Sequence, residues 1–275
     1  MMHAFRFRSA LLAVTLLLIG LGPLSAASRA ELDALHEALR TDELLRILGE
    51  EGEVEAVGLQ DEMFPGRAGA GWQNALAVIY AHPDMSREFR QGFDSELANT
   101  DVGALLEFYR SDLGQRIAEV EVEARRAISE DAVEEAAKTA FAALSPARAL
   151  QVETFIEQGK LVERNVAGAM TSNLAFFRGL VDGGGFEMEE SEMLAQVWGQ
   201  EDELRADTYA WVGGYVTLAY GPLTDAELDR YLQLLDSREG RALNRALFTG
   251  FYDVFTRISY DLGKAASGFM LSEER

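Results

Sequence analysis

The sequence predicts an all-α fold, a helical bundle assembled from two related multi-helix units by internal duplication. Three observations carry that expectation. Apolar residues recur at the three- and four-residue steps of a helix over most of the chain, while period-two strand patterns are weak. Start signals such as Ser145-Pro146 and Thr224-Asp225-Ala226-Glu227, and breaks such as Gly221-Pro222, punctuate those stretches. The stretch LLEFYRSDLGQRI at residues 105–117 is echoed as YLQLLDSREGRAL at residues 231–243.

Taken in order, residues 1–27 read as a signal peptide. Arg6 and Arg8 form a basic start, residues 10–21 an apolar core, Gly22-Pro23 a break, and Ser25-Ala26-Ala27 offers small side chains for cleavage. The apolar run is shorter than the ~20 residues of a spanning helix. A mature chain starting near Ser28, without a transmembrane segment, is therefore expected. The first helical unit is then residues 28–144 and the second, containing the repeat, residues 145–275.

Residues 30–49 are amphipathic, with Leu32, Leu35, Leu39, Leu45 and Leu48 near helical spacing and Thr41-Asp42 as a restart. His36 lies beside that face as a structural residue. A charge run at residues 50–55 and a loop at residues 65–71 come next. Trp72 resumes the apolar pattern. His82-Pro83 marks a boundary, because the residue before Pro avoids the helical region, and Phe89 and Phe93 sit four apart on the helix after it. One long helical stretch is expected over residues 114–144, with Ile117, Val120, Ala124 and Ile128 on one face.

Ser145 caps a helix with Pro146 in its first turn, and that helix is expected to run to Val181. Three consecutive glycines at residues 183–185 end it. The acids Glu187, Glu189, Glu190 and Glu192 suit the start of another helix, where they complement its dipole. Their spacing is not that of an EF-hand. Val197, Leu204, Trp211, Val212 and Tyr215 form the next apolar face. After Gly221-Pro222, Thr224 and Glu227 make a capping box, and Asn99 is the corresponding cap in the first unit. Phe248, Phe251, Tyr252 and Phe255 fall at i, i+3, i+4 and i+7, the pattern of a buried core face.

The two echoed stretches share Ser-x-x-Gly, as Ser111 with Gly114 and Ser237 with Gly240, at a constant separation of 126 residues. Trp72 and Trp198 match at the same separation, as do Leu106 and Leu232. Leu105, Phe108 and Tyr109 stand opposite Tyr231, Leu234 and Leu235, so the apolar phase is kept. Serine can cap a fresh helix, and glycine admits a close backbone, so the motif reads as a helix break with a neighbouring helix packed tightly at Gly114 and Gly240. A nucleophilic serine would need a base beside it, and none is visible locally.

The F-Y-x-S-x-x-G pattern resembles that of the domain-of-unknown-function family 2059 of secreted proteobacterial proteins. Many members have Pro after the Ser, where this chain has Asp112 and Arg238. The segments VERNVAGAM, LAFFRGL and AYGPLTDAELDRY also resemble longer, two-copy members. The resemblance implies a helical fold and an envelope location. It carries no activity with it.

Function classes narrow by composition. The chain has no Cys, which removes disulfides, thiol chemistry and a lipid-anchored Cys. Its formal charge of −21 repels nucleic acid and anionic lipid. No motif has catalytic or metal-ligand spacing, so no catalytic residue, metal ligand or cofactor is assigned. The reading is a non-enzymatic binding or scaffolding module of the cell envelope, with an unknown protein or envelope component as partner. A chaperone-like or divalent-cation-binding module is the alternative, and a carboxylate-based hydrolase is the third. A deep pocket with two buried acids would favour the hydrolase, and an exposed apolar groove rimmed by acids the chaperone.

Overall fold

Serines and threonines with free hydroxyl oxygens mark where this chain turns into helix. The computed structural model describes residues 26–65 and 69–271. Most of the expected signal peptide, and residues 66–68 of the expected loop, lie outside the described residues. Every regular element among the described residues is an α-helix. In order they are α1 (Arg29–Ala38), α2 (Thr41–Met63), α3 (Gly69–Ile79), α4 (His82–Leu97), α5 (Gly103–Tyr109), α6 (Asp112–Ala127) and α7 (Asp131–Ala142). Then come α8 (Pro146–Gly159), α9 (Leu161–Asp182), α10 (Glu190–Trp198), α11 (Glu201–Tyr220), α12 (Asp225–Asp236) and α13 (Arg238–Leu271).

Several boundaries follow the capping residues. Ser28 caps α1 in a box with Glu31, Ser145 accepts from Arg148 N–H, and Thr224 with Glu227 closes the box at α12. Others depart from the sequence reading. The charge run at residues 50–55 continues α2 rather than ending it: Glu50 and Glu55 are exposed, while Glu51 turns inward to pair with Arg125 of α6. Gly69 and Gly71, expected in a loop, lie in α3. The stretch expected as one helix over residues 114–144 breaks at Ile128–Glu130 into α6 and α7. The helix expected from Pro146 to Val181 is two, α8 and α9, because Lys160 takes a left-handed backbone with φ 50°. Arg40, between α1 and α2, does the same with φ 54°. Asn99 does not cap α5, whose N-cap is Val102. There Asp101 accepts from the Gly103 N–H at 2.9 Å instead.

The 34-residue α13 is the axis of the molecule, packed along α9 on one side and α4 on another. Its approach to α9 is set by two glycines. A Cβ on Gly179 would run into the Tyr260 carbonyl of α13, and one on Gly263 into the Phe176 carbonyl of α9. With hydrogen on both sides the backbones touch, which side chains larger than Gly forbid. The main core gathers Leu35, Phe89, Phe93, Leu105, Ile117 and Val254. A smaller cluster under α3 holds Phe64, Trp72, Leu76 and Ala266, with Trp72 Nε1 donating to the Ala56 carbonyl at 2.9 Å. No helix among the described residues is long and apolar enough to cross a membrane.

Candidate functional site

The bundle does not close completely. A cavity of about 560 Å³ lies between α2, α6, α8, α9, α11 and α13. Its walls are mainly apolar and include Leu44 and Leu48 of α2, Val216 of α11, and Leu247, Phe251 and Phe255 of α13. The aromatic stripe of α13, expected to be solid core, is half-buried because much of it faces this space. Periodicity tells which way a helix face points; it is silent on whether side chains or a void fill the room opposite.

One carboxyl is set into this apolar wall. Glu121 lies one turn beyond Ile117 on α6, in phase with the stripe that α6 turns inward. Tyr220 O–H donates to its Oε1 at 2.6 Å and Tyr231 O–H donates to the same oxygen at 3.0 Å. Since the Tyr231 proton is thereby used, Tyr109 O–H donates to the Tyr231 oxygen, at 3.1 Å. Tyr215 O–H donates to the backbone carbonyl of Glu121 at 3.1 Å. Four tyrosines from α5, α11 and α12 thus converge on one acid. Phe155 of α8 packs on two of them, with centroids 4.9 Å from Tyr220 and 5.8 Å from Tyr231.

The electrostatics follow from enclosure. Burial pushes the Glu121 carboxyl above its ordinary range, and the two tyrosine hydrogen bonds pull against that shift. Burial also pushes Tyr109, Tyr215, Tyr220 and Tyr231 upward, and the Glu121 charge adds to it, so all four remain protonated donors. Among the described residues no donor reaches Glu121 Oε2, which is open to the cavity. Gln158, on the same lining, has its side-chain carbonyl buried with no hydrogen-bond partner. Arg125, a further turn along α6, is ion-paired with Glu51 of α2 and stands 5.9 Å from the Trp211 ring centroid. Burial raises Glu51 as well, against the attraction of Arg125.

The Ser-x-x-Gly residues of the echoed stretches lie elsewhere. Ser111 Oγ accepts from Gly114 N–H at 3.2 Å and Ser237 Oγ accepts from Gly240 N–H at 2.9 Å. Each hydroxyl donates at 2.6 Å to a carbonyl three residues back, Phe108 or Leu234. Both protons are spent on backbone and neither Ser lines the cavity. A Cβ on Gly114 would strike the Phe108 carbonyl, and on Gly240 the Leu234 carbonyl. The close backbone is therefore the end of the preceding helix, α5 or α12, and not a more distant neighbour. Trp72 is fully buried in the smaller cluster while Trp198 is 59 % exposed at the end of α10, so the two tryptophans do different things. Tyr109, which ends α5 just before the Ser111 break, and Tyr231, the first residue of the second echoed stretch, both reach the acid cluster.

His36 is also built into the core. Its Nε2–H donates to Asp94 Oδ1 at 2.9 Å, which leaves Nδ1 to accept from Thr41 Oγ1 at 3.1 Å. Among the described residues no three His, Cys, Asp or Glu side chains are grouped to hold a metal ion. The acids at residues 187–192 cap and start α10, where Glu189 and Glu192 form a reciprocal box.

Glu121 was legible only as one acid among 46 acidic residues. The signal that would have singled it out is its phase, four residues after Ile117 and three before Ala124. An acid on the inward stripe of an amphipathic helix must find donors or neutralise.

Residues 83–142 match the family described as an uncharacterized protein conserved in bacteria (DUF2059). That region contains the first Ser-x-x-Gly motif and Glu121, and stops short of the second motif. No curated protein and no solved structure matches the chain.

Proposed function

We propose that this chain is a non-enzymatic, ligand-binding helical module of the bacterial cell envelope. The observation that carries the reading is the apolar cavity with a single buried acid. A volume of about 560 Å³ falls within the 300–1,000 Å³ of small-molecule sites, which pair apolar walls with a few placed polar groups. A hydrolase working by paired carboxylates needs a second acid across the reacting bond, and Glu121 is the one acid among the lining residues described. The envelope assignment rests on the order of basic, apolar and small residues over 1–27.

The two-unit organisation belongs to the same proposal. It is supported by the matched geometry at Ser111–Gly114 and Ser237–Gly240, and by the left-handed Arg40 and Lys160 at the α1/α2 and α8/α9 junctions. On that reading α1–α7 and α8–α13 are related units, and the cavity is what their association encloses.

The test is titration with N-phenyl-1-naphthylamine, an apolar dye that fluoresces when removed from water. Saturable binding near one dye per chain is expected. Leu48→Trp, which fills the cavity from α2, should abolish it while the far-ultraviolet circular dichroism is kept. Dye binding that never saturates, or that survives Leu48→Trp undiminished, would remove the ligand-binding reading.

A further inference from the structure

We propose that the ligand of this cavity is an amphiphile with a primary ammonium head group, received by Glu121 at the acid cluster and by the apolar walls along its chain. The inference rests on the ligand-binding reading above and names the ligand's chemistry.

The acceptor left open at the cavity decides the head group. Glu121 has both tyrosine donors on Oε1, so Oε2 is an acceptor with no protein partner. A buried acceptor that loses water without gaining a donor costs about 1–3 kcal/mol, so the occupant that fits must bring donors. An alkylammonium brings three. The tyrosine hydroxyls cannot serve a competing anion, because each is committed within the cluster or to the Glu121 carbonyl.

Charge points the same way. The two cations among the described lining residues, Arg125 and Arg241, are ion-paired with Glu51 and Asp236. A carboxylate ligand would face Glu121 without a free positive partner. Burial raises the Glu121 carboxyl while its two tyrosine donors lower it, and an ammonium beside it adds to the donors that keep it ionised and Oε2 an acceptor. The net charge of −21 raises the local concentration of cations around the whole molecule.

The experiment is displacement of N-phenyl-1-naphthylamine by decylamine, decanol and decanoate, three amphiphiles of one chain length. Decylamine should displace the dye at a concentration about tenfold or more below decanol, the scale of a hydrogen bond to a charged group, with decanoate weakest. Glu121→Gln, with decylamine and decanol titrated directly by calorimetry, should erase the advantage of the amine over the alcohol. Leu48→Trp retains the surface charge, so amine binding that persists in it is surface attraction and overturns the proposal. Decanoate displacing best, or an unchanged ranking in Glu121→Gln, also overturns it while leaving the cavity as a binding site. Should Glu121→Gln fail to fold, the wild-type ranking with the Leu48→Trp control decides. A wild type that binds no dye and none of the three overturns the ligand-binding reading together with this one.

Discussion

The Glu121 carboxyl on the cavity wall concentrates most of the chemistry in this molecule, and its cost depends on pH. Burial raises the Glu121 carboxyl above its ordinary value of 4.5, so folding favours the protonated form. The stability this group contributes is therefore complete below pH 4.5 and is lost as pH rises toward the folded value. Glutamine keeps an acceptor for Tyr220 and Tyr231 but never ionises. Glu121→Gln should match wild type near pH 4 and be more stable than it at pH 8, by about 1–3 kcal/mol, the range for desolvating a polar group in a protein interior. Urea midpoints of both proteins at the two pH values measure this. A variant that loses more stability at pH 8 than at pH 4 would mean that the ionised acid is a net stabiliser here. In the sequence this residue is hidden by abundance, whereas His36, a rare residue beside a Leu stripe, draws notice and lies buried against Asp94 and Thr41.

Some helix beginnings are legible from their capping side chains, because Ser and Thr at those positions have a local physical job. Ser145, Thr224 and the two echoed serines illustrate this, whereas the Ser28–Glu31 box of α1 is not among the readings of the sequence. Breaks at Lys160 and Arg40 were not legible, since a long basic side chain in a left-handed turn leaves no compositional mark. The echoed motif can be tested at both sites. Ser111→Ala and Ser237→Ala should each cost about 1 kcal/mol, the worth of an N-cap. Gly114→Ala and Gly240→Ala should cost more, about 1–3 kcal/mol, because even a methyl meets the carbonyl of Phe108 or Leu234. If the two units share their local geometry, the paired variants will show the same order in urea unfolding. A glycine substitution tolerated at one site and severe at the other would count against the matched pair.

The whole molecule is organised so that neither proposed unit contains the site alone. Glu121 and Tyr109 come from residues 28–144, and Tyr220 and Tyr231 from residues 145–275. The axis α13 is likewise shared, because it packs on α4 of the first unit as well as on α9 of its own. Gly92 of α4 meets Gly250 of α13 at that crossing, and Phe89 stacks toward Phe251 with centroids 4.8 Å apart. Cutting the chain between Leu144 and Ser145 would expose Phe89, Phe93 and Ile117 on one fragment and Val254 and Tyr231 on the other. Apolar burial of about 25 cal/mol per Å² is the main term holding a domain together, and a half-sized unit has little to spare. Residues 28–144 and 145–275 expressed separately should each lack a cooperative urea transition, while the two co-expressed should copurify and regain binding of N-phenyl-1-naphthylamine. Cooperative unfolding of residues 28–144 by itself would mean that the unit is an independent domain, and that the cavity is an interface between two finished bodies rather than the interior of one.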